Sequence, residues 1–141
     1  MLMDYKNKWI YNNQDLLIIP DTAIGFVYLI TDTINEKYYI GKKLFHSSKT
    51  IQKNKKKKRI KVESDWKSYY GSNQILQNVV KENDVYSFTR EILHICYSKS
   101  ECSYLEAKEQ FARDVILSPN YYNDWVSCKI TRRHMQKFQL R

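Results

Sequence analysis

Gly25-Phe26-Val27-Tyr28-Leu29-Ile30-Thr31, followed after five residues by Lys37-Tyr38-Tyr39-Ile40-Gly41, is the stretch on which the fold turns. Both runs are rich in β-branched and aromatic residues, which suit a pleated, half-buried surface. The residues between them, Asp32-Thr33-Ile34-Asn35-Glu36, supply turn formers, so the spacing predicts an antiparallel hairpin. Tyr28 and Tyr39 stand 11 positions apart, one on each strand, and can lie side by side across the ladder. The chain holds 12 tyrosines, so the pair taken alone reads equally well as packing.

Working outward, residues 1–22 read as an N-terminal arm whose apolar patch Leu16-Leu17-Ile18-Ile19 is halted by Pro20. After Gly41, residues 42–67 have no sustained periodicity and no glycine or proline. They read as a short helix or irregular start, then an exposed basic insertion over about 44–67. Ser72 offers an N-cap to a helix with Ile75, Leu76, Val79 and Val80 on one face. Tyr86 to Cys96 (YSFTREILHIC) has strand composition. Ser98-Lys99-Ser100-Glu101 fits a capping box opening a helix over about Lys99 to Leu117, with Pro119 as its stop. The predicted fold is a small α+β domain over 23–128: a three-stranded antiparallel sheet flanked by helices, with the basic insertion after its second strand. A basic tail, 129–141, follows.

With 141 residues, 43% hydrophobic and 14% aromatic, the chain suits one domain with its own core. The net charge of +9 is unevenly placed. Residues 42–67 carry 11 basic and 2 acidic groups, whereas 68–128 carry 5 basic and 8 acidic. The tail has 5 basic groups and no acid. Such a field suits a phosphate polymer, and a solvated lysine-rich loop is the plain alternative. No stretch approaches the ~20 apolar residues of a membrane span, and Met1 to Trp9 lacks a signal-peptide core. Cys96, Cys102 and Cys128 have no metal-site spacing and read as reduced thiols of an intracellular, cytoplasmic protein.

On the second helix, steps of about 100° per residue from Leu105 gather Phe111, Tyr104, Val115, Ala112, Ile116 and Cys102 on one arc. Glu109 falls inside that arc, and Glu106 and Gln110 fall opposite. A carboxylate turned towards a core needs a partner, which is either a metal ion or a paired side chain.

Taken together, Gly25 to Ile30, Tyr39-Ile40-Gly41-Lys42, Phe88 to Leu93, Glu109-Gln110-Phe111 and Tyr122-Asn123 resemble the GIY-YIG nuclease family over roughly residues 25–125. Glu109 and Asn123 are 14 positions apart, as the family's core has them. The first motif departs from the family in reading Phe26-Val27-Tyr28. The arginine usual after the second motif is also absent, since residues 42–49 contain none.

The resemblance implies a metal-dependent DNA endonuclease of phage or homing type, for which the richness in Lys, Ile, Asn and Tyr suggests an AT-rich genome. Glu109 would hold one divalent ion, Mg²⁺ or Mn²⁺, on the scissile phosphate. Tyr28 would act as or assist the general base, and Tyr39 would position water or phosphate. Lys42 would lower the phenol's pKa and Asn123 would orient the site. The arginine's place is open among Lys67, Arg59, Lys43 and His46. Lys43, Lys53, Lys55, Lys56, Lys57, Lys58 and Lys61 would clamp the backbone of double-stranded DNA, with Arg132 and Arg133 adding contacts from the tail. A dimer is possible. The alternative is a non-catalytic nucleic-acid-binding module on the same fold.

Overall fold

In the computed structural model, residues 5–129 and 131–136 are described. Alternation along β3 (Gly25–Asp32) sends Phe26, Tyr28 and Ile30 to one face and Val27 to the other, all 0–1% exposed. A strand buried on both faces belongs at the centre of a sheet. β3 lies between β4 (Lys37–Leu44) and β7 (Phe88–Cys96), antiparallel to both. The hairpin matches expectation, but β4 continues through Lys42 and Lys43 to Leu44.

The sheet has five strands, in the order β2 (Gln14–Asp15), β1 (Ile10–Tyr11), β7, β3 and β4, where three were expected. The extra two come from the N-terminal segment. β1 (Ile10–Tyr11) joins β7 in parallel through Ile10 and Glu91, and β2 (Gln14–Asp15) turns back on β1. Strands of two residues leave no alternation to read, and burial of Trp9 explains their docking. Its ring is fully buried against Phe26 and Tyr28, and its Nε1 donates to the Trp66 carbonyl at 2.7 Å.

The helices flank the sheet. α1 (Gln74–Glu82) covers the Phe26 face through Leu76. Its cap is Asn73, whose side chain accepts from Leu76 N–H at 3.0 Å. Ser72, the expected cap, bonds the Tyr39 hydroxyl instead. α2 (Lys99–Ala112) packs Cys102 and Leu105 on the Val27 face. Its Ser98 cap forms as the sequence indicates. The helix ends at Ala112, short of Leu117, because the chain turns out through Asp114 at φ 50.

The basic segment is regular rather than loose. β5 (His46–Lys53) and β6 (Lys56–Glu63) pair antiparallel in a second sheet of their own. Asn54 and Lys55 turn the chain with φ of 53 and 61, the backbone of a tight hairpin turn. Lysine occupies a position where glycine would have signalled it. The chain then returns to the core at Trp66, which is fully buried. Arg132 and Arg133 are exposed beside a single 3-10 turn, Arg133–Met135. The rest of the expected tail, Ile130 and 137–141, lies outside the described residues. Among the described residues no helix is long and apolar enough to cross a membrane.

After α2 the chain runs beside β4. Tyr38 N–H donates to the Asn120 carbonyl, and Tyr122 N–H donates to the Tyr38 carbonyl, both at 2.8 Å. The Tyr122 hydroxyl locks this segment by donating to buried Asp32 at 2.6 Å. Burial alone would raise the Asp32 carboxyl, but bonds from Tyr122, Asn35 and Ile34 outweigh it and hold it below its ordinary value. Burial and Asp32 push the Tyr122 phenol up to about 12. Tyr122→Phe should lower stability at neutral pH by about 1–3 kcal/mol in urea melts, because the carboxylate loses a buried donor. The bond's contribution is complete from above the ordinary carboxyl range up to pH ~10. It is lost as pH rises through about 12, or falls through the depressed carboxyl value. The phenylalanine variant should lose that alkaline sensitivity.

Candidate active site

β4 is the edge of the sheet, and its free side is closed by side chains. Asn123 Oδ1 accepts from Ile40 N–H at 3.1 Å, and Asn123 Nδ2 donates to the Ile40 carbonyl at 2.8 Å. One amide thus does the work of a ladder residue. Gln110 of α2 donates to the same carbonyl at 3.2 Å. Asn123 and Gln110 therefore pin the segment after α2, and α2 itself, to the middle of the second motif.

Tyr28 and Tyr39 share a face of the hairpin, arranged diagonally rather than directly opposite. Tyr28 faces Gly41 and Tyr39 faces Ile30. Their ring centroids are 6.2 Å apart. The glycines explain how two phenols fit there. A Cβ on Gly41 would meet the Tyr28 hydroxyl, its Cζ at 2.5 Å, and Tyr39 Cε2 at 3.0 Å. Gly71, at φ +92, lets the chain pass against the Tyr39 ring. Gly41→Ala should lower stability by about 1–3 kcal/mol, as overpacking does, and displace Tyr28 from the site. Urea melts and DNA cleavage assays measure the two effects, and an unperturbed variant in both would contradict this account of the glycine.

Tyr28, Tyr39 and Gly41 line a cavity of about 540 Å³ together with Lys42, Glu106, Asn123, Asp124 and Trp125. Lys42 Nζ donates to Ser103 Oγ at 2.6 Å and lies beside Glu106. Burial raises the Glu106 carboxyl above its ordinary value, and the Lys42 charge opposes that rise. Burial pushes the Tyr28 phenol well above its ordinary value, with Tyr69, Tyr39 and Glu106 adding to the effect. Tyr39 is raised by burial too, against a lowering bond to Ser72. Both phenols therefore stay protonated at neutral pH.

Four of the residues singled out in the sequence meet here: Tyr28, Tyr39, Lys42 and Asn123. Glu109 does not line the cavity. Its carboxylate bonds His94 Nε2 at 2.9 Å and Arg113 Nε at 3.1 Å. Burial would raise it, but these two partners outweigh burial and hold it below its ordinary value. The acid that α2 brings to the cavity is Glu106, one helical turn earlier, and Asp124 lines it from the segment after the helix.

The expected substitutes for the arginine also lie outside the lining. Arg59 is on β6 and His46 opens β5. Lys67 lies near the rings of Tyr5 and Trp66. Lys43 pairs with Asp65 at 2.6 Å over the Tyr69 ring. Lys42 is the cation among the described lining residues.

Glu106 escapes sequence reading because Phe111 pulls the apolar arc of α2 to the wrong side. Phe111 is 66% exposed, and the face actually buried runs through Cys102, Leu105 and Gln110. An i, i+4 pair of Glu106 and Gln110 is the signal available, and it is weak.

The structure thus has a polar cleft at a hairpin edge, with paired tyrosines, a lysine and a helix carboxylate around it. Residues 9–126 match the family described as "Putative endonuclease segE, GIY-YIG domain". The chain belongs to this family of nucleases. It is also 33% identical over 98 residues to "Putative endonuclease segE" of Enterobacteria phage T4, across 70% of this chain and 39% of that protein. The chain thus spans well under half of that relative's length. No solved structure matches it.

Proposed function

We propose that this domain is a metal-dependent endonuclease that hydrolyses phosphodiester bonds of double-stranded DNA, with Glu106 rather than Glu109 as the carboxylate for the metal. The observation that carries the reading is the convergence of Tyr28, Tyr39, Lys42, Glu106 and Asn123 on one cavity. The nuclease unit is taken as 23–128, with an arm before it and a basic tail after it. It would work inside the cell, in the host cytoplasm if encoded by a phage.

The donor set fits a single hard cation. Among the described residues no three His, Cys, Asp or Glu gather to enclose a metal ion. Mg²⁺ is usually held by one or two carboxylates together with substrate phosphate oxygens. Glu106 and Asp124 both line the cavity, and Gln110 Oε1 is a buried oxygen with no hydrogen-bond partner among the described residues. When bound, a divalent ion supplies positive charge to the phosphoryl oxygens and activates water.

The chain's own residues do the rest. The protonated hydroxyls of Tyr28 and Tyr39 donate to the phosphate or the attacking water. Lys42 offsets the charge that grows on the phosphoryl oxygens. Asn123 holds the edge of β4 in place. A new bond forms between the water oxygen and phosphorus, the bond from phosphorus to the leaving sugar oxygen breaks, the attacking water gives up a proton to solvent, and the leaving oxygen takes one from solvent.

A second reading, a non-catalytic nucleic-acid-binding module, is favoured by one observation: no arginine is among the described lining residues. Supercoiled plasmid incubated with the protein and Mg²⁺ or Mn²⁺ separates the two. Nicking that stops on chelation supports the nuclease. Binding without nicking, on several substrates and with either ion, supports the module.

A further inference from the structure

Among the described residues the β5–β6 hairpin makes no ladder with the main sheet, and both of its edges are unpaired. Residues 46–63 carry eight lysines and arginines against one acid, Glu63. Its register sorts these side chains by face. Ser48 with Lys61, Thr50 with Arg59, and Gln52 with Lys57 are opposite pairs on one face. The other face holds Ile51, Ile60 and Val62 among Lys49, Lys53, Lys56 and Lys58. The first face is made of hydrogen-bonding groups throughout its middle. The second has branched aliphatic groups there, with lysines around them.

A duplex major groove is about 12 Å wide and admits a two-stranded β-ribbon. At about 3.3 Å per residue, eight-residue strands reach ~25 Å, most of one turn of the groove. Arginine, glutamine, lysine, serine and threonine are the side chains whose donors and acceptors match base edges there.

We propose that this hairpin enters the major groove of duplex DNA and reads bases. The Thr50, Gln52, Lys57 and Arg59 face turns to the base edges, and the long lysines of the other face reach the phosphate walls. This rests on DNA being the ligand of the domain but not on cleavage, and the ribbon, more than the cleft, sets the sequence preferred. It also gives Arg59 a task outside the cavity.

The test measures binding alone, using full-length Glu106→Ala protein so that cleavage does not interfere. Duplexes selected by it from a randomised pool are methylated at guanine N7, which projects into the major groove. The expected result is a preferred sequence in which N7 methylation at particular guanines weakens binding by about tenfold or more. Arg59→Ala should abolish the preference and the interference at one position while leaving the others. Gln52→Ala should do the same at a different position. Circular dichroism confirms that each variant is folded.

Selection of no preferred sequence would overturn the proposal. So would indifference to N7 methylation with sensitivity to phosphate ethylation, or a uniform loss of affinity in Arg59→Ala. Absence of plasmid nicking by the unaltered protein would count against the nuclease reading and leave this measurement intact.

Discussion

Glu106→Ala is expected to reduce DNA cleavage at least about 10²-fold, the scale of removing one transition-state electrostatic contact, while Glu109→Ala leaves the rate within a few fold. The two acids are one helical turn apart on α2, yet their surroundings differ. Glu106 lines the cavity with both motif tyrosines and Asn123, and burial raises its carboxyl. Glu109 is engaged by His94 and Arg113. That pair is partly solvated, so its removal should lower stability by ~1 kcal/mol or less. Single-turnover nicking of plasmid DNA and urea melts of both variants measure the contrast. The reverse pattern would assign the acid to Glu109 and sink the geometry argued here. A pH dependence follows from the direction of the shift. Only the ionised carboxylate binds a cation, so lowering the pH should weaken the Mg²⁺ requirement's saturation sooner than it would for an ordinary glutamate.

Arg90→Met should cost about 3–5 kcal/mol, since several buried carbonyls lose their donor at about 1–3 kcal/mol each. Arg90 is fully buried, and burial lowers its pKa. Its partners are backbone carbonyls. Nε and Nη2 donate to Asn7, Nη2 also to Lys6 and Lys67, and Nη1 to Tyr69, over 2.5–3.0 Å. The guanidinium lies 4.7 Å from the Trp9 ring centre and 4.4 Å from that of Tyr70. One side chain therefore ties the N-terminal segment to the return of the basic hairpin, just before Gly71 and Ser72 meet Tyr39. Removal leaves several carbonyls without donors beside a buried side chain. Arg90→Lys should recover little of the loss, since an ammonium cannot match a planar fork that serves four residues. A loss under ~1 kcal/mol in urea melts would mean that water replaces the guanidinium, and this account would fail.

Arg90 shows what the sequence conceals. It reads as one polar position in the strand FTREIL, and nothing local indicates that its acceptors come from residues 6–7 and 67–69. Trp9 is hidden in the same way, because β1 and β2 are too short to carry a pattern. The β3–β4 hairpin is the opposite case. Two β-rich runs joined by turn formers specify their pairing through local chemistry, and the tyrosines follow on one face from the period of two.

The basic hairpin falls between. Its strands are lysine-rich and mostly exposed, so no apolar alternation announces them, and Lys55 takes a backbone conformation that glycine more often signals. The carboxylate that α2 turns to the cavity is the least legible in the sequence. A helix brings Glu106 and Glu109 within one turn of each other, and the choice depends on how α2 rolls on the sheet. Gln110 and Asn123 set that roll by bonding Ile40 at the edge of β4, while Phe111 remains in solvent.

By itself, then, the sequence determined what acts over a few residues: the hairpin, the Ser98 cap, the tyrosine pair, the order of motifs and the place of the charge. Tertiary structure decided which carboxylate enters the cavity, which arginine is buried and what holds the sheet edge. Those outcomes depend on contacts between segments 21 to 84 positions apart, where packing rather than local preference selects the partner.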